Sequence, residues 1–321
     1  MKSERTWMLM EILKWSVDYL TDKGIKDAQS SVEWLLCEIL SCSRMDLYLK
    51  YNRPMSDAEL ARYRPLLLKC AAHQPVQQLV GTCEFYGLKL AVNDKVLIPR
   101  PETERLVERC IKEALILTEK KMQMQNAKPL RESEKDADGD PGPEPFVFKP
   151  VLQILDIGAG SGCISIALAK HIPNAELFAL EKSQEAIGIL QRNIRFHDLE
   201  KRVHILQEDV MHYLPEQRFD IIVSNPPYIA AEEIPKLEKQ VSYFEPFMAL
   251  SDAGDGLAFY RFFAGSFPEW LLPEGFALLE FGGPAQRNAL KKIFAAFDIE
   301  IIRDYQQDDR VLLLKTKNGD H

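Results

Sequence analysis

Val151-Leu152-Gln153-Ile154-Leu155-Asp156, followed by Ile157-Gly158-Ala159-Gly160-Ser161-Gly162, is the stretch on which the reading of this chain turns. The first half is an apolar run, as a strand must be when both faces of its sheet are covered. The second half carries glycine at alternate positions, which lets the backbone turn tightly and approach a ligand with no Cβ in the way. A helix over residues 163–170 follows. Alone, such a turn leaves two readings open: a packing turn, or a site for a nucleotide-type ligand.

Working outward, Leu177-Phe178-Ala179-Leu180, Val203-His204-Ile205-Leu206, Phe219-Asp220-Ile221-Ile222-Val223 and Phe276-Ala277-Leu278-Leu279 read as further strands. Residues 299–302 and 311–314 suggest a closing antiparallel pair. Apolar strands alternating with helices predict an α/β fold with a mostly parallel, seven-stranded sheet covered on both faces. Ligands in such sheets bind beyond the carboxyl ends of the strands, and the strand-end motifs that follow sit there.

Glu181 ends the second of these strands, where a carboxylate can accept hydrogen bonds from both hydroxyls of a ribose. With the glycine turn it leaves NAD or S-adenosylmethionine as ligands. The dinucleotide spacing G-x-G-x-x-G is absent, because Gly162 comes one residue early, so a single adenosyl group with a short tail is favoured. Glu208-Asp209-Val210 ends the third strand and offers a carboxylate and an apolar side chain to an adenine amine and ring.

Ser224-Asn225-Pro226-Pro227-Tyr228 directly follows the fourth strand and is the most specific signal in the chain. A planar, conjugated nitrogen is a poor nucleophile, so an enzyme that methylates one must orient it and stabilise the charge it gains. The Asn225 side-chain oxygen and the Pro226 carbonyl can each accept one N–H of an –NH2 group, which fixes its plane. The two prolines hold that carbonyl rigid, and Tyr228 offers an aromatic face to a planar substrate. Acceptors aimed at a nitrogen that becomes positive help most in the transition state. Asn225, Pro226 and Tyr228 are therefore the candidate catalytic residues, with Pro227 completing the substrate site.

Bulk properties narrow the alternatives. At 321 residues, one large domain plus a smaller one is the natural division. The net charge of −8 argues against a general nucleic-acid binder, which needs a basic face. The six cysteines form no CxxC pair and have no histidine partners at zinc spacing, so no metal is expected. No stretch reaches membrane-spanning length. The start Met1-Lys2-Ser3-Glu4-Arg5 resembles neither a secretory signal nor a transit peptide, which predicts a cytoplasmic location.

Residues 1–75 read as a helical domain of four or five short helices. Val32, Leu35, Leu36, Ile39 and Leu40 form one apolar stripe, and Ser56 with Glu59 is a capping box. Pro65 is expected to bend or shorten the helix that follows this cap. Residues 76–98 suggest a β-hairpin connector, punctuated by Gly81, Gly87 and Asn93-Asp94. Residues 99–321 form the large domain, interrupted at 122–150 by an acidic, proline-rich stretch read as a mobile surface loop.

Taken together, the chain resembles the HemK/PrmC family, the protein-(glutamine-N5) methyltransferases of class I peptide chain release factors. The resemblance covers nearly the whole length and rests on the helical N-terminal domain, Gln74-Pro75-Val76-Gln77-Gln78-Leu79-Val80-Gly81, Glu84-Phe85-Tyr86-Gly87, Ile98-Pro99-Arg100-Pro101-Glu102-Thr103-Glu104, the glycine turn, Asn225 to Tyr228, and Phe244-Glu245-Pro246. It implies a class I S-adenosylmethionine-dependent methyltransferase fold, Rossmann-like, with the N-terminal helices as a substrate-recognition domain. It implies that Gly158, Ala159, Gly160, Ser161, Gly162, Glu181, Asp209, Val210 and Asn225 hold S-adenosyl-L-methionine, and that S-adenosyl-L-homocysteine is the product. Asn225, Pro226, Pro227 and Tyr228 then hold the glutamine of a Gly-Gly-Gln loop, with Arg100 beside it in the pocket wall. The implied partner is a class I release factor, met by a monomer without nucleic acid. Glu181 stands where the family more often has Asp, and the 122–150 stretch is unusually long.

Two other functions fit parts of this pattern. An adenine-N6 methyltransferase of DNA or RNA uses the same four residues on an exocyclic –NH2, but needs a flipped base and a basic docking face. A non-catalytic interaction platform would keep the fold and not need Asn225.

Overall fold

The computed structural model describes residues 6–126 and 150–317. Five helices come first: α1 (Leu9–Asp22), α2 (Ala28–Leu40), α3 (Arg44–Leu49), α4 (Asp57–Ala71) and α5 (Val76–Val80). Their core is the stripe expected on α2, where Val32, Leu35, Leu36 and Ile39 are buried, closed by Leu13 and Leu20 of α1 and Tyr63 and Leu67 of α4. Ser56 and Glu59 form the capping box, with each side chain bonded to the other residue's main-chain N–H. Pro65 does not shorten α4, which runs on to Ala71.

The hairpin is narrower than the sequence suggested. Val76 to Val80 belong to α5, and the strands are β1 (Thr82–Phe85) and β2 (Leu88–Ala91). Asn193 clamps the hairpin to the large domain: its Oδ1 accepts from Ala91 N at 2.7 Å, and its Nδ2 donates to Ala91 O at 3.0 Å and Ser161 O at 2.8 Å. A 3-10 turn over Pro101–Thr103 leads into α6 (Glu104–Asn126). The helix therefore continues through residues 122–126, which composition had assigned to the loop; residues 127–149 lie outside the described residues.

The large sheet then alternates with helices: β3 (Leu152–Ile157), α7 (Cys163–His171), β4 (Ala175–Glu181), α8 (Gln184–Phe196), β5 (Val203–Gln207) and β6 (Phe219–Ser224). After β6 come two short helices, α9 (Lys239–Ser242) and α10 (Phe247–Leu250), then α11 (Ala258–Trp270), β7 (Leu271–Glu280), α12 (Arg287–Ile293), β8 (Phe297–Arg303) and β9 (Asp309–Thr316). The strand order is β5-β4-β3-β6-β7-β9-β8, parallel as far as β7 and antiparallel for β9 and β8. This is the predicted seven-stranded, mostly parallel sheet. One core lies on the face covered by α6, α7 and α8, and a second lies on the other face, rich in aromatics such as Tyr260, Phe263 and Phe267 of α11.

Between β3 and β6 the chain changes direction across the sheet, because β4 and β5 lie to one side of β3 and the later strands to the other. That switch point is where the connections after adjacent strands diverge and leave a crevice. Ile157 pairs with Ser224, and the Ser224 hydroxyl donates to Ile157 O at 2.8 Å, so the glycine turn and Asn225 start from one level.

Candidate active site

A cleft of about 640 Å³ opens at this crevice, a size that suits a drug-sized ligand. Its wall brings together residues far apart in sequence: Gly158 to Ser161 after β3, Glu181 at the end of β4, Asp209 and Val210 after β5, Asn225 to Pro227 after β6, and Arg100 with Thr103 from the segment before α6.

The glycine turn is held from below. Asp156 is buried, and its Oδ2 accepts from the Ser165 main-chain N–H at 3.0 Å and its hydroxyl at 2.6 Å, which ties β3 to the first turn of α7. Burial pushes this carboxyl up to about 6 despite those donors. Gly158 and Gly160 have φ of +73° and +54°, and no atom lies closer than 3.9 Å to where their Cβ would stand. They are open to the cleft. Gly162 differs: at φ +82°, its Cβ would stand 2.4 Å from Leu190 Cδ1 of α8. It does not line the cleft, and its lack of a side chain serves helix packing.

Glu181 closes the turn, accepting from Gly160 N at 2.9 Å through Oε2 and from Ser183 N at 2.8 Å through Oε1. Each oxygen keeps acceptor capacity for a further donor. Asp209 accepts from Lys182 Nζ at 2.8 Å and from Met211 N at 3.1 Å, and the lysine bond is the main cause of its lowered pKa. Val210 is buried beside it and gives the cleft an apolar wall. The donor set fits an adenosyl group: open backbone at Gly158 and Gly160 for a tail, a carboxylate with spare lone pairs for a diol, and an apolar wall with a carboxylate for a base.

Across the cleft, Asn225 Nδ2 donates to Thr103 Oγ1 at 3.2 Å. Its Oδ1 accepts no hydrogen bond among the described residues and stays available to a ligand. Pro226 is buried and Pro227 lines the cleft. Tyr228 does not line it; its ring packs into the aromatic core and its hydroxyl donates to Glu280 Oε1 at 3.3 Å. Burial is the main reason the Tyr228 phenol is pushed far above its ordinary pKa. The motif's backbone is clamped by residues that the sequence did not single out. Gln286 donates to Tyr228 O at 2.9 Å, Ile229 N bonds Leu250 O at 3.0 Å, and a Cβ on Gly256 would stand 2.2 Å from Tyr228 O.

Arg100 is anchored by a nearly buried partner. Its guanidinium pairs with Glu245 Oε1, while Glu245 Oε2 accepts from Ile98 N at 3.3 Å. Burial raises the Glu245 carboxyl, and Arg100 pulls against that rise. The pair joins the Ile-Pro-Arg-Pro segment to Phe244-Glu245-Pro246, two stretches that are separate in sequence. Beside them, the half-exposed Phe247 and Met248 form an apolar rim. Among the described residues, no group of His, Cys, Asp and Glu could hold a metal, and no helix is long and apolar enough to cross a membrane.

Comparison with known proteins places this geometry. Residues 11–81 match the PrmC N-terminal domain, and residues 147–241 match the methyltransferase small domain. The release factor glutamine methyltransferase of Geobacter sulfurreducens is 36% identical over 86% of this chain and 84% of its own length. The chain belongs to the release factor glutamine methyltransferase family. Relatives of that name in Chlorobaculum tepidum and Bacillus subtilis are 32% and 31% identical, covering 97% and 95% of this chain and 98% and 96% of their own. Among solved structures, the hMettl16 catalytic domain, determined with a MAT2A 3'UTR hairpin, is similar at a TM-score of 0.50 and 14% identity. That likeness covers 84% of this chain and 85% of that one, and it shows the fold alone. The two family matches fall on the N-terminal helices and on the stretch from β3 to β6 that borders the crevice.

Proposed function

We propose that this chain methylates N5 of the glutamine in the Gly-Gly-Gln loop of a class I release factor, with S-adenosylmethionine as donor. The observation that carries the reading is that Asn225 faces the same cleft as the open glycines 158 and 160, in a member of this family. When bound, S-adenosylmethionine supplies an electrophilic methyl group. Gly158, Ala159, Gly160 and Ser161 hold its amino-acid tail, Glu181 its ribose, and Asp209 and Val210 its adenine.

Asn225 Oδ1 and the Pro226 carbonyl each accept one N–H of the glutamine amide, which turns the nitrogen toward the methyl carbon. Both acceptors gain strength as the nitrogen becomes positive, so they stabilise the transition state more than the bound substrate; the methyl–sulfur bond would break as the carbon–nitrogen bond forms, and the nitrogen would then lose one proton to solvent. Pro227 and Arg100 form the wall beside the amide. Tyr228 holds the motif in place from the core side through Glu280. The rim of Phe247 and Met248 excludes water from the reacting amide as the loop docks. The helical unit over residues 1–75 recognises the release factor, followed by the connector at 76–98 and the catalytic domain at 99–321. The enzyme works in the cytoplasm as a monomer, without nucleic acid or membrane.

The test is to incubate the protein with labelled S-adenosylmethionine and either a release factor, the same factor with its loop glutamine replaced, or an adenine-containing oligonucleotide. Label should enter only the first. Label that persists on the altered factor, or enters the oligonucleotide instead, would overturn the reading.

A further inference from the structure

A nucleophile-orienting asparagine has one weakness: its amide can be turned over. With Oδ1 toward the cleft it accepts from the substrate –NH2, whereas with Nδ2 toward the cleft it opposes donor to donor. Something in the protein must choose between the two faces. Asn225 Nδ2 donates to Thr103 Oγ1 at 3.2 Å, and Thr103 is 2% exposed. A hydroxyl has one proton and two lone pairs, so Thr103 accepts from Asn225 dependably only if its own proton is committed elsewhere.

The buried carboxylate that acts on this hydroxyl is Glu280. It ends β7, in the strand paired with β6, where Ser224 lies opposite Leu279. Its carboxylate is 1% exposed, interacts with the Thr103 hydroxyl, and accepts from Tyr228 OH at 3.3 Å through Oε1. Oε2 has no geometrically formed hydrogen bond among the described residues. A buried carboxylate oxygen needs a donor and a buried hydroxyl proton needs an acceptor; Glu280 Oε2 lacks the one, and the Thr103 hydroxyl acts on this same carboxylate.

We propose that Glu280, acting through Thr103, sets the polarity of the Asn225 amide, so that its oxygen and not its nitrogen faces the substrate –NH2. The relay runs in one direction. Glu280 accepts from Thr103, Thr103 accepts from Asn225 Nδ2, and Asn225 Oδ1 is left to accept from the glutamine. Both residues are positioning residues, since neither touches the reacting atoms. The inference rests on the reading of Asn225 given above.

The relay works only while Glu280 is an acceptor. Burial is the main influence on its carboxyl and brings it to about 7, against the pull of Thr103, Arg310 and Tyr228 and with repulsion from Glu102. The Tyr260 hydroxyl is occupied at the Glu280 main-chain oxygen. Protonated, Glu280 donates to Thr103, the hydroxyl proton is freed toward Asn225, and the amide loses its preferred face.

The experiment measures kcat, KM for release factor and S-adenosylmethionine affinity in wild type, Thr103→Val, Thr103→Ser and Glu280→Gln, with Asn225→Ala as reference. Thr103→Val should lower kcat by roughly 10- to 100-fold with cofactor affinity unchanged, and Thr103→Ser should recover to within about threefold of wild type. The acid limb of kcat, expected near pH 7 in wild type, should be absent in Glu280→Gln. Wild-type kcat in Thr103→Val, or equal pH profiles in wild type and a folded Glu280→Gln, would overturn the inference; if Glu280→Gln does not fold, the two Thr103 variants decide. Wild type inactive on release factor, or Asn225→Ala fully active, would instead defeat the underlying reading, and the relay with it.

Discussion

Gly256→Ala would disturb the Asn-Pro-Pro-Tyr motif without touching any residue of it. Gly256 has φ +75°, and a Cβ there would stand 2.2 Å from Tyr228 O, 2.9 Å from Tyr228 C and 3.2 Å from Ala230 N. These are backbone atoms, so no side-chain rotation relieves them. The left-handed conformation costs an alanine about 1–2 kcal/mol, and overpacking adds roughly 1–3 kcal/mol. A total on the order of 3 kcal/mol lowers Tm by roughly 5–10 °C for a chain of this size. The loop cannot simply swing away, because Asp252 holds it through Gly254 N at 2.8 Å, Gly256 N at 3.0 Å and Ala258 N at 2.9 Å. The strain therefore falls on Tyr228 and the motif before it. A shift of about 1 Å in an orienting group costs about 100-fold in rate, so kcat should fall by that order. S-adenosylmethionine affinity should change little, because the glycine turn and Glu181 lie on other strands. Gly265→Ala is the control, an open position inside α11 where alanine should be neutral or slightly stabilising. Single-turnover methylation, calorimetric cofactor binding and thermal melts read the three quantities. A Gly256→Ala protein with wild-type kcat would refute the claim that the 252–256 loop holds the motif.

Further expectations follow from the same geometry. Asn225→Ala should reduce methyl transfer by about two to four orders of magnitude with Tm nearly unchanged, checked by single-turnover kinetics. Glu245→Ala leaves the Arg100 guanidinium unpaired and Ile98 N without its acceptor, and should cost about 3–5 kcal/mol in denaturant melts and raise KM for release factor. Gly162→Ala should destabilise more, through its left-handed backbone and the Leu190 contact, whereas Gly158→Ala carries only the left-handed cost of about 1–2 kcal/mol and should in addition weaken S-adenosylmethionine binding; titration calorimetry and melts separate the two. Glu280 has a raised carboxyl pKa of about 7, so the folded chain holds its proton more tightly than the unfolded one, and the stability it contributes below its ordinary range is lost as pH rises through that value. Relative to wild type, Glu280→Gln should gain up to about 3 kcal/mol between roughly pH 5 and pH 8 in melts followed across that range.

The sheet was legible because its strands are apolar end to end, and parallel pairing buries them on both faces. Asn225 and the glycine turn were legible because their chemistry is local, written in consecutive residues. Gly162 was read with its neighbours as a ligand glycine, since spacing alone does not distinguish a glycine open to a cleft from one pressed against Leu190. Asn193, Thr103, Glu245 and Glu280 escaped assignment for a different reason. Each acts on a partner remote in sequence, as Asn193 does on Ala91 and Glu245 on Arg100, and only folding brings them together. The one trace of Glu280 in the sequence is a glutamate directly after the apolar run 276–279, and only the structure shows it buried, where a charge costs too much to persist without partners. The extension of α6 through Asn126 was missed because the change in composition begins before the helix ends.

The most direct measurement is mass spectrometry of the release factor's Gly-Gly-Gln peptide from cells with and without this protein. One added methyl group, placed on the glutamine side chain and absent when the protein is absent, is the result predicted. An unmodified glutamine in both, or a methyl group that remains without the protein, would contradict it.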